Sequence, residues 1–450
     1  MSATEFSLVI RGARVMDPES GLDEVLNAGI LNGQIEALSA APLRGREEID
    51  GSGAVLAPGF IDIHTHEDFY EGEAPAFRLP HETAAAAMRT GNTVIAGGNC
   101  GSSNYPVGEY LAALKQAALP ITCLTLVGNC SLREVLGLGP YDQASPGQIA
   151  AMGDMARKAL DEGVAGVSFG LQYAPGTSFD ELTALAAAAG ERKTFFAVHM
   201  RHDTPGKALE TVEEVLEAAR ISGAALQISH LAANVYSRDN LHQAARRIEA
   251  SGLPVTADVY PYDTWAAAIQ SAVFDQGFDE FNFGVEDLEI LSGPLAGRYC
   301  TEAIFEELRR APENTAVACH RAIPPEDIEA AYRLPFVCLG SDAMIALDVQ
   351  GRRKGHPRSA GSPARFLGHY VRERKVLSLM EGLRKLTLMP ADRLGLKKKG
   401  RVQAGCDADL VLFDPAVIAD RAEYGIDRCG LPPAGIRAVI CGGRKVYGSI

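Results

Sequence analysis

The run Pro58-Gly59-Phe60-Ile61-Asp62-Ile63-His64-Thr65-His66 delivers two histidines, two residues apart, from a short apolar strand. Alternate strand residues project to one face, so His64 and His66 point together at one ion. Neutral imidazole suits zinc, and barrel enzymes hold their sites at the C-terminal ends of their strands. Taken alone, the pair also fits two ordinary histidines at a strand end. Four further runs add candidates. Gly97-Gly98-Asn99-Cys100-Gly101 places a thiol after an apolar strand, beside glycines that let the backbone approach closely. A buried inert thiol is the alternative there, and Cys130 in Gly128-Asn129-Cys130 is the competing cysteine. Residues 195–199 and 225–230 are apolar runs ending in His199 and His230, which satisfied core histidines would also explain. Residues 336–342 end in Ser341-Asp342, a carboxylate able to ligate a metal and take a proton from water, or to cap a helix.

Together these supply His64, His66, Cys100, His199, His230 and Asp342, a donor set soft enough for zinc. Three or more such ligands leave an open position, where a water has its pKa lowered to about 7. The chemistry implied is metal-assisted hydrolysis.

The elements that must position these residues alternate along the middle of the chain. Candidate strands fall at 59–63, 93–96, 121–127, 166–168, 195–199, 225–230, 255–259 and 337–341. Helical stretches separate them at 82–89, 149–162, 179–189, 207–222 and 238–251. Strands spaced by helices of this length form βα units and a parallel sheet. About eight of them fit a (β/α)8 TIM barrel; a doubly wound open sheet is the runner-up. Both ends of the chain read as short strands with turns, at 7–11, 14–16, 29–32 and 34–38, then 409–413, 436–441 and 445–447. Asn32-Gly33 is the clearest hairpin signal among them. The expectation is a small β-sandwich built from residues 1–57 plus 396–450, beside a barrel over 58–395. Two stretches break the alternation. Residues 263–298 suggest an insertion near the barrel mouth, and the polar, Gly/Pro-punctuated 347–363 has the composition of a mobile loop.

Bulk properties exclude several classes. The 450 residues are 47% hydrophobic with a formal net charge of -14, a poor match for nucleic acid or an anionic membrane surface. Nine scattered cysteines without a CxxC pair argue against a secreted disulfide framework. Charged residues break the first 21 positions, and no uncharged apolar stretch approaches about 20 residues. A cytoplasmic enzyme acting on a small molecule is the expectation.

At this point the sequence resembles the amidohydrolase superfamily, and within it the D-aminoacylase (N-acyl-D-amino-acid deacylase) family. The marks are PGFIDIHTHED (58–68), GGNCGSS (97–103), GVSFGLQYAPG (166–176), VHMRHD (198–203), QISHL (227–231), VYPYD (259–263), GSDA (340–343), HPR (356–358), FLGHY (366–370) and GRVQAGCDADLVLFDP (400–415). They cover nearly the whole chain. The resemblance implies a barrel beside a small β-sandwich, with Cys100, His199 and His230 holding a tightly bound zinc. It also implies a second, weaker site formed by His64, His66, bridging Cys100 and Asp342. Related hydrolases bridge two metals with a carboxylated lysine from the fourth strand; residues 164–171 contain no lysine, so the cysteine bridge fits better. Asp342 is then the general base, and later the proton donor to the leaving amine.

The implied reaction is deacylation of an N-acyl-amino acid, with the D configuration taken wholly from the resemblance. Family members often carry a lysine two residues after the counterpart of His230, where it meets the substrate carboxylate; here that position is Ala232. Arg201, Tyr173, Tyr262 and Arg358 are the candidates to meet it instead. The stretch between Tyr262 and Phe336 also looks shorter than usual. Cyclic-amide hydrolysis of the dihydroorotase and hydantoinase kind is the competing reaction, and a non-catalytic barrel scaffold the competing class.

Overall fold

Eight short parallel strands occupy the middle of the chain: β1 (Phe60–Asp62), β2 (Asn92–Gly97), β3 (Thr122–Thr125, resumed at Val127–Gly128), β4 (Gly166–Gly170), β5 (Phe195–His199), β6 (Ala225–Ile228), β7 (Val255–Val259) and β8 (Val337–Leu339). The structure, a computed structural model, describes residues 5–202, 204–312 and 314–448. Asp203, the last residue of the VHMRHD run, lies outside them. β1, β2 and the first part of β3 form one parallel sheet; the second part of β3 through β8 forms another, each strand paired with the next. Past the ends of β8 and β1, Thr65 bridges Ala343 in parallel and the Asp342 N–H donates to the His64 carbonyl at 2.8 Å.

Strands covered on both faces read as continuous apolar runs. Val167, Phe169, Phe196, Leu226 and Ile228 are all fully buried in one core cluster. The helices between them are bounded by local chemistry. Pro146–Glu162 starts at Ser145, whose hydroxyl accepts the Gln148 N–H while the Gln148 side chain returns to the Ser145 N–H. It stops at Gly163, which takes the left-handed conformation (φ 112°) that side chains resist. Its buried Met152, Ala156, Ala159 and Leu160 recur three to four residues apart, so one stripe packs inward.

Both chain ends share one eight-stranded sheet, in which Leu410–Phe413 pairs with Val55–Pro58. The two strands expected at 7–11 and 14–16 are one strand, Phe6–Asp17, with an irregularity between Ile10 and Ala13 where Gly12 turns to φ 61°. Residues 263–298 contribute Trp265–Ala268 and Leu288–Ile290, both antiparallel to Ala316–Cys319 in a separate three-stranded sheet. The polar 347–363 stretch is not the mobile loop its composition suggests. Arg353–Lys354 pairs with Ala346–Leu347, and residues 358–365 form a helix that buries Arg358. Pro357 pre-sets the backbone at the start of that helix, so a residue read as a loop marker initiates order. Among the described residues no helix is long and apolar enough to cross a membrane.

Asp17 ties the two chain ends together. Its buried carboxylate accepts the Val402 N–H at 3.0 Å, the Ser20 N–H at 3.0 Å and the Gln403 side-chain amide at 2.8 Å. Burial alone raises a carboxyl, but bonds from Ser20, Val402 and Gln403 outweigh it and hold Asp17 below its ordinary value. Asp17→Ala is expected to lower stability at pH 7 by about 2 kcal/mol in urea titrations. A lowered folded value means this contribution is whole above the unfolded carboxyl's pKa of about 4 and is lost as pH falls through the folded value. The gap between wild type and variant should therefore narrow in acid.

Candidate metal centre and active site

The ends of β1, β5 and β6 and the segments after β2 and β8 bring two groups of donors together. The ligand atoms of His64, His66, Cys100 and Asp342 all lie within 4.8 Å of one another, and so do those of Cys100, His199 and His230. Cys100 belongs to both groups. Its Sγ lies 3.3 Å from His64 Nε2 and 3.7 Å from His230 Nε2. Asp342 Oδ1 lies 2.9 Å from His66 Nε2 and 3.4 Å from His64 Nε2.

Each of the three buried imidazoles of the cluster spends one nitrogen on an oxygen acceptor and turns the other inward. His64 Nδ1–H donates to Asp258 (3.1 Å), His230 Nδ1–H to Asn234 (2.9 Å) and His199 Nε2–H to Gln172 (2.6 Å). These partners fix the tautomers, as outer residues commonly do around zinc. His199 Nδ1 is then buried with no hydrogen-bond partner, although a buried polar nitrogen normally has one. An inward lone pair without a donor is what a cation satisfies, so the residues present fit a zinc ion.

The charges point the same way. Burial would push the Cys100 thiol up, but the His64 charge and the neighbouring His199, His230 and His64 rings pull it well below the usual thiol range. Asp342 is likewise penalised by burial yet held well below the carboxylate range by Arg358, His64 and His66. Burial lowers His66, but Asp342 and Cys100 outweigh it and push the ring up to about 9. The cluster is thus anion-rich and favours added positive charge. Cys130 differs: burial pushes its thiol up to about 12, as for an inert cysteine.

Holding this geometry strains the backbone. Cys100, His230 and Asp342 all adopt positive φ (51°, 33° and 52°), a region that costs non-glycine residues of order 1–3 kcal/mol each. The glycines around Cys100 serve close approach. A Cβ on Gly101 would sit 2.5 Å from Asn129 Oδ1, and one on Gly170 would sit 2.2 Å from the Cys100 carbonyl. Asn99 pins the loop by donating to the carbonyls of Ile63, Thr65 and Ala96.

Of the residues read as substrate contacts, two reach the cluster. Arg358 Nη2 lies 2.8 Å from Asp342 Oδ2, its guanidinium sits 4.7 Å above the Tyr260 ring, and its Nε and Nη1 are buried without partners. Tyr173 lies tilted against His199 with ring centres 4.7 Å apart. The other two are engaged elsewhere. Arg201 binds Glu214 at 2.7 Å and the carbonyls of Pro175 and Thr177. Tyr262 donates to Asp420 at 3.2 Å and packs on His356 and Arg365. Tyr260, two residues earlier in the same VYPYD run, lines the cavity instead, together with Tyr173, His199, His230 and Asp342. Asp258, Asn234, Gln172 and Tyr260 escaped the reading of the sequence. Asp258 lies in the strand Val255–Val259, whose burial pattern does not single it out.

The fold and this donor cluster define a mixed α/β protein built around a candidate metal centre. The amidohydrolase family model matches residues 47–303 and 336–447, and the chain belongs to that family. It is 31% identical to the N-acyl-D-glutamate deacylase of Alcaligenes xylosoxydans xylosoxydans, over 98% of this chain and 94% of the relative. Among solved structures it is similar to an N-acyl-D-glutamate deacylase from Bordetella bronchiseptica complexed with zinc and a phosphonate mimic of the tetrahedral intermediate. That match has a TM-score of 0.85 and 27% identity, over 99% and 97% of the two chains. A D-aminoacylase with a binuclear metal centre, in which one metal activates and the second attenuates, matches at 0.84 and 25% identity, over the same shares.

The placement of Arg201 has a consequence for mutation. Arg201→Ala should cost about 2 kcal/mol, between the values of surface and buried ion pairs, by stranding the half-buried Glu214. The purified variant should keep the wild-type metal content. Unchanged stability with lost metal would contradict the clamp assigned to it here.

Proposed function

We propose that this chain is a zinc-dependent deacylase, hydrolysing N-acyl-D-amino acids to a carboxylate and a free D-amino acid. The observation that carries the reading is that Cys100 belongs to both donor groups, with Asp342 on one side of it and His199 and His230 on the other. The D-amino-acid class is taken from the named relatives. On this reading Cys100, His199 and His230 hold the tight zinc, and His64, His66, Cys100 and Asp342 offer a second site. When bound, zinc supplies Lewis acidity and eases deprotonation of a water.

The chain's own residues do the rest. Asp342 takes a proton from water as its oxygen attacks the acyl carbon, then returns that proton to nitrogen as the C–N bond breaks. Arg358, paired with Asp342 through Nη2 and with Nε and Nη1 buried without partners, is the candidate to meet the substrate carboxylate. Tyr173 lines the same cavity and flanks His199. The absence of lysine from β4 sets the chain apart from cyclic-amide hydrolases that use a carboxylated lysine there.

For the scaffold, the reading is a (β/α)8 barrel over residues 58–395, closed through the Thr65–Ala343 bridge, with an insertion around 263–298. Residues 1–57 and 396–450 form the small β-sandwich, supported by a separate apolar cluster that includes Leu8, Ile10, Leu56 and Leu410. Nine free cysteines accord with a cytoplasmic setting.

Two experiments test the function. Protein purified without chelators should release amine from N-acetyl-D-amino acids and not from the L series; a chelator should abolish this and added zinc restore it. Asp342→Asn should lower kcat by about a thousandfold or more while keeping the tight zinc. If the Asn variant turns over as fast as wild type, Asp342 is not the base. Cys100→Ser should lose zinc, whereas Cys130→Ser should keep both zinc and activity.

A further inference from the structure

Resting on the reading that Arg358 meets the substrate carboxylate, we propose that His356 and Tyr424 are positioning residues for that arginine. Tyr424 comes from a loop of the terminal sheet, so that loop sets the preference for substrates with a free α-carboxylate.

His356 is 3% exposed and stands two residues before Arg358. Its Nδ1 accepts the Arg358 backbone N–H at 2.9 Å, and its carbonyl accepts the Ser359 N–H at 3.1 Å. A backbone N–H can only donate, so Nδ1 carries no proton. Burial and the Arg358 charge both hold the ring well below its ordinary value, so it stays neutral with its proton on Nε2. That nitrogen donates to the Tyr424 hydroxyl oxygen at 2.9 Å. Tyr424 therefore favours the tautomer in which Nδ1 is free to hold the start of the Arg358 helix. Tyr262 and Tyr424 also pack edge-on against the ring, with ring centres 5.3 and 5.2 Å away.

The loop carrying Tyr424 is seated along the same helix and the turn before it. It leaves the terminal sheet after Leu410–Phe413 and returns at Ile436–Cys441. Asp420 accepts the Tyr262 hydroxyl at 3.2 Å and lies 3.5 Å from Arg365 Nη1. Ala422 is buried in one cluster with Ala360 and Ile345. The His320 ring, bonded to Glu289 at 2.7 Å, backs Tyr424 with ring centres 4.8 Å apart. Arg358 Nε and Nη1 are buried without partners, so the backbone at position 358 is what aims them. Fixing that backbone in advance leaves less ordering to the substrate.

The test compares the N-acetyl-D-amino acid that the zinc-loaded enzyme turns over fastest with the carboxamide of the same compound. Tyr424→Phe removes one hydroxyl and should raise KM for the carboxylate about tenfold, with kcat changed by less than about threefold. The preference for carboxylate over carboxamide, as a ratio of kcat/KM, should fall by the same factor. His356→Leu should lower that ratio at least as far. His356→Asn should bring it back to within about threefold of wild type, because an Asn oxygen accepts the N–H two residues on. Zinc content should match wild type in all three. A Tyr424→Phe enzyme with wild-type kinetics, or with losses shared equally by carboxylate and carboxamide, overturns the proposal and keeps the deacylase reading. If the carboxamide is not turned over, KM against kcat on the carboxylate decides, and a loss in kcat alone overturns it. If His356→Leu does not fold, Tyr424→Phe decides alone. Arg358→Met tests the reading beneath and should lower the ratio further than any of these. A wild-type ratio there would mean that Arg358 does not meet the carboxylate, and both claims would fall together.

Discussion

A thiol, two carboxylates and four imidazoles gathered in one largely buried volume cannot be held by hydrophobic packing. Burial opposes the charge on every one of them, and like groups oppose each other. The fold meets this by giving each group a fixed oxygen or nitrogen partner. Asp258 serves His64 and also accepts the His230 backbone N–H at 2.9 Å, so one carboxylate on β7 orients residues from β1 and from the end of β6. Gln227 donates to its other oxygen at 2.8 Å. Removing any member leaves its partner buried and unpaired, which is why the arrangement behaves as one unit.

Local strain is the second consequence of that constraint. Three donors in left-handed backbone hold their side chains where ordinary strand ends would not aim them. The cost is absorbed by the rigid strands beneath, whose side chains are fully buried along β4 and β5 and through most of β6. The loop after Cys100 packs on β4 so tightly that Gly101 and Gly170 leave no room for a methyl group. Precision at the thiol thus depends on residues that carry no reactive group.

The parts legible in the sequence are those governed by short-range rules. The His-x-His spacing, the apolar runs ending in His199 and His230, and the turn at Asn32-Gly33 follow from strand period and turn chemistry. What stayed hidden depends on which distant residues meet. Asp258 sits in a strand buried on nearly every position, where no in/out alternation distinguishes it. Asn234 reaches His230 only because residues 231–235 are helical, which puts positions four apart on one face. Between Tyr260 and Tyr262, strand direction alone did not tell which faces the cavity. The stretch 347–363 misled for a physical reason: its arginines and glycines look solvated, yet Arg358 is 5% exposed because Asp342 and Tyr260 receive it.

The proposed chemistry depends first on whether the Cys100 thiolate holds the metal. Zinc K-edge X-ray absorption on the protein as purified addresses this directly. A first shell containing sulfur at about 2.3 Å with nitrogen or oxygen at about 2.0–2.1 Å is the predicted result. A shell of nitrogen and oxygen alone would contradict it, since the metal would then sit among histidines and carboxylates with the thiol left as a bystander.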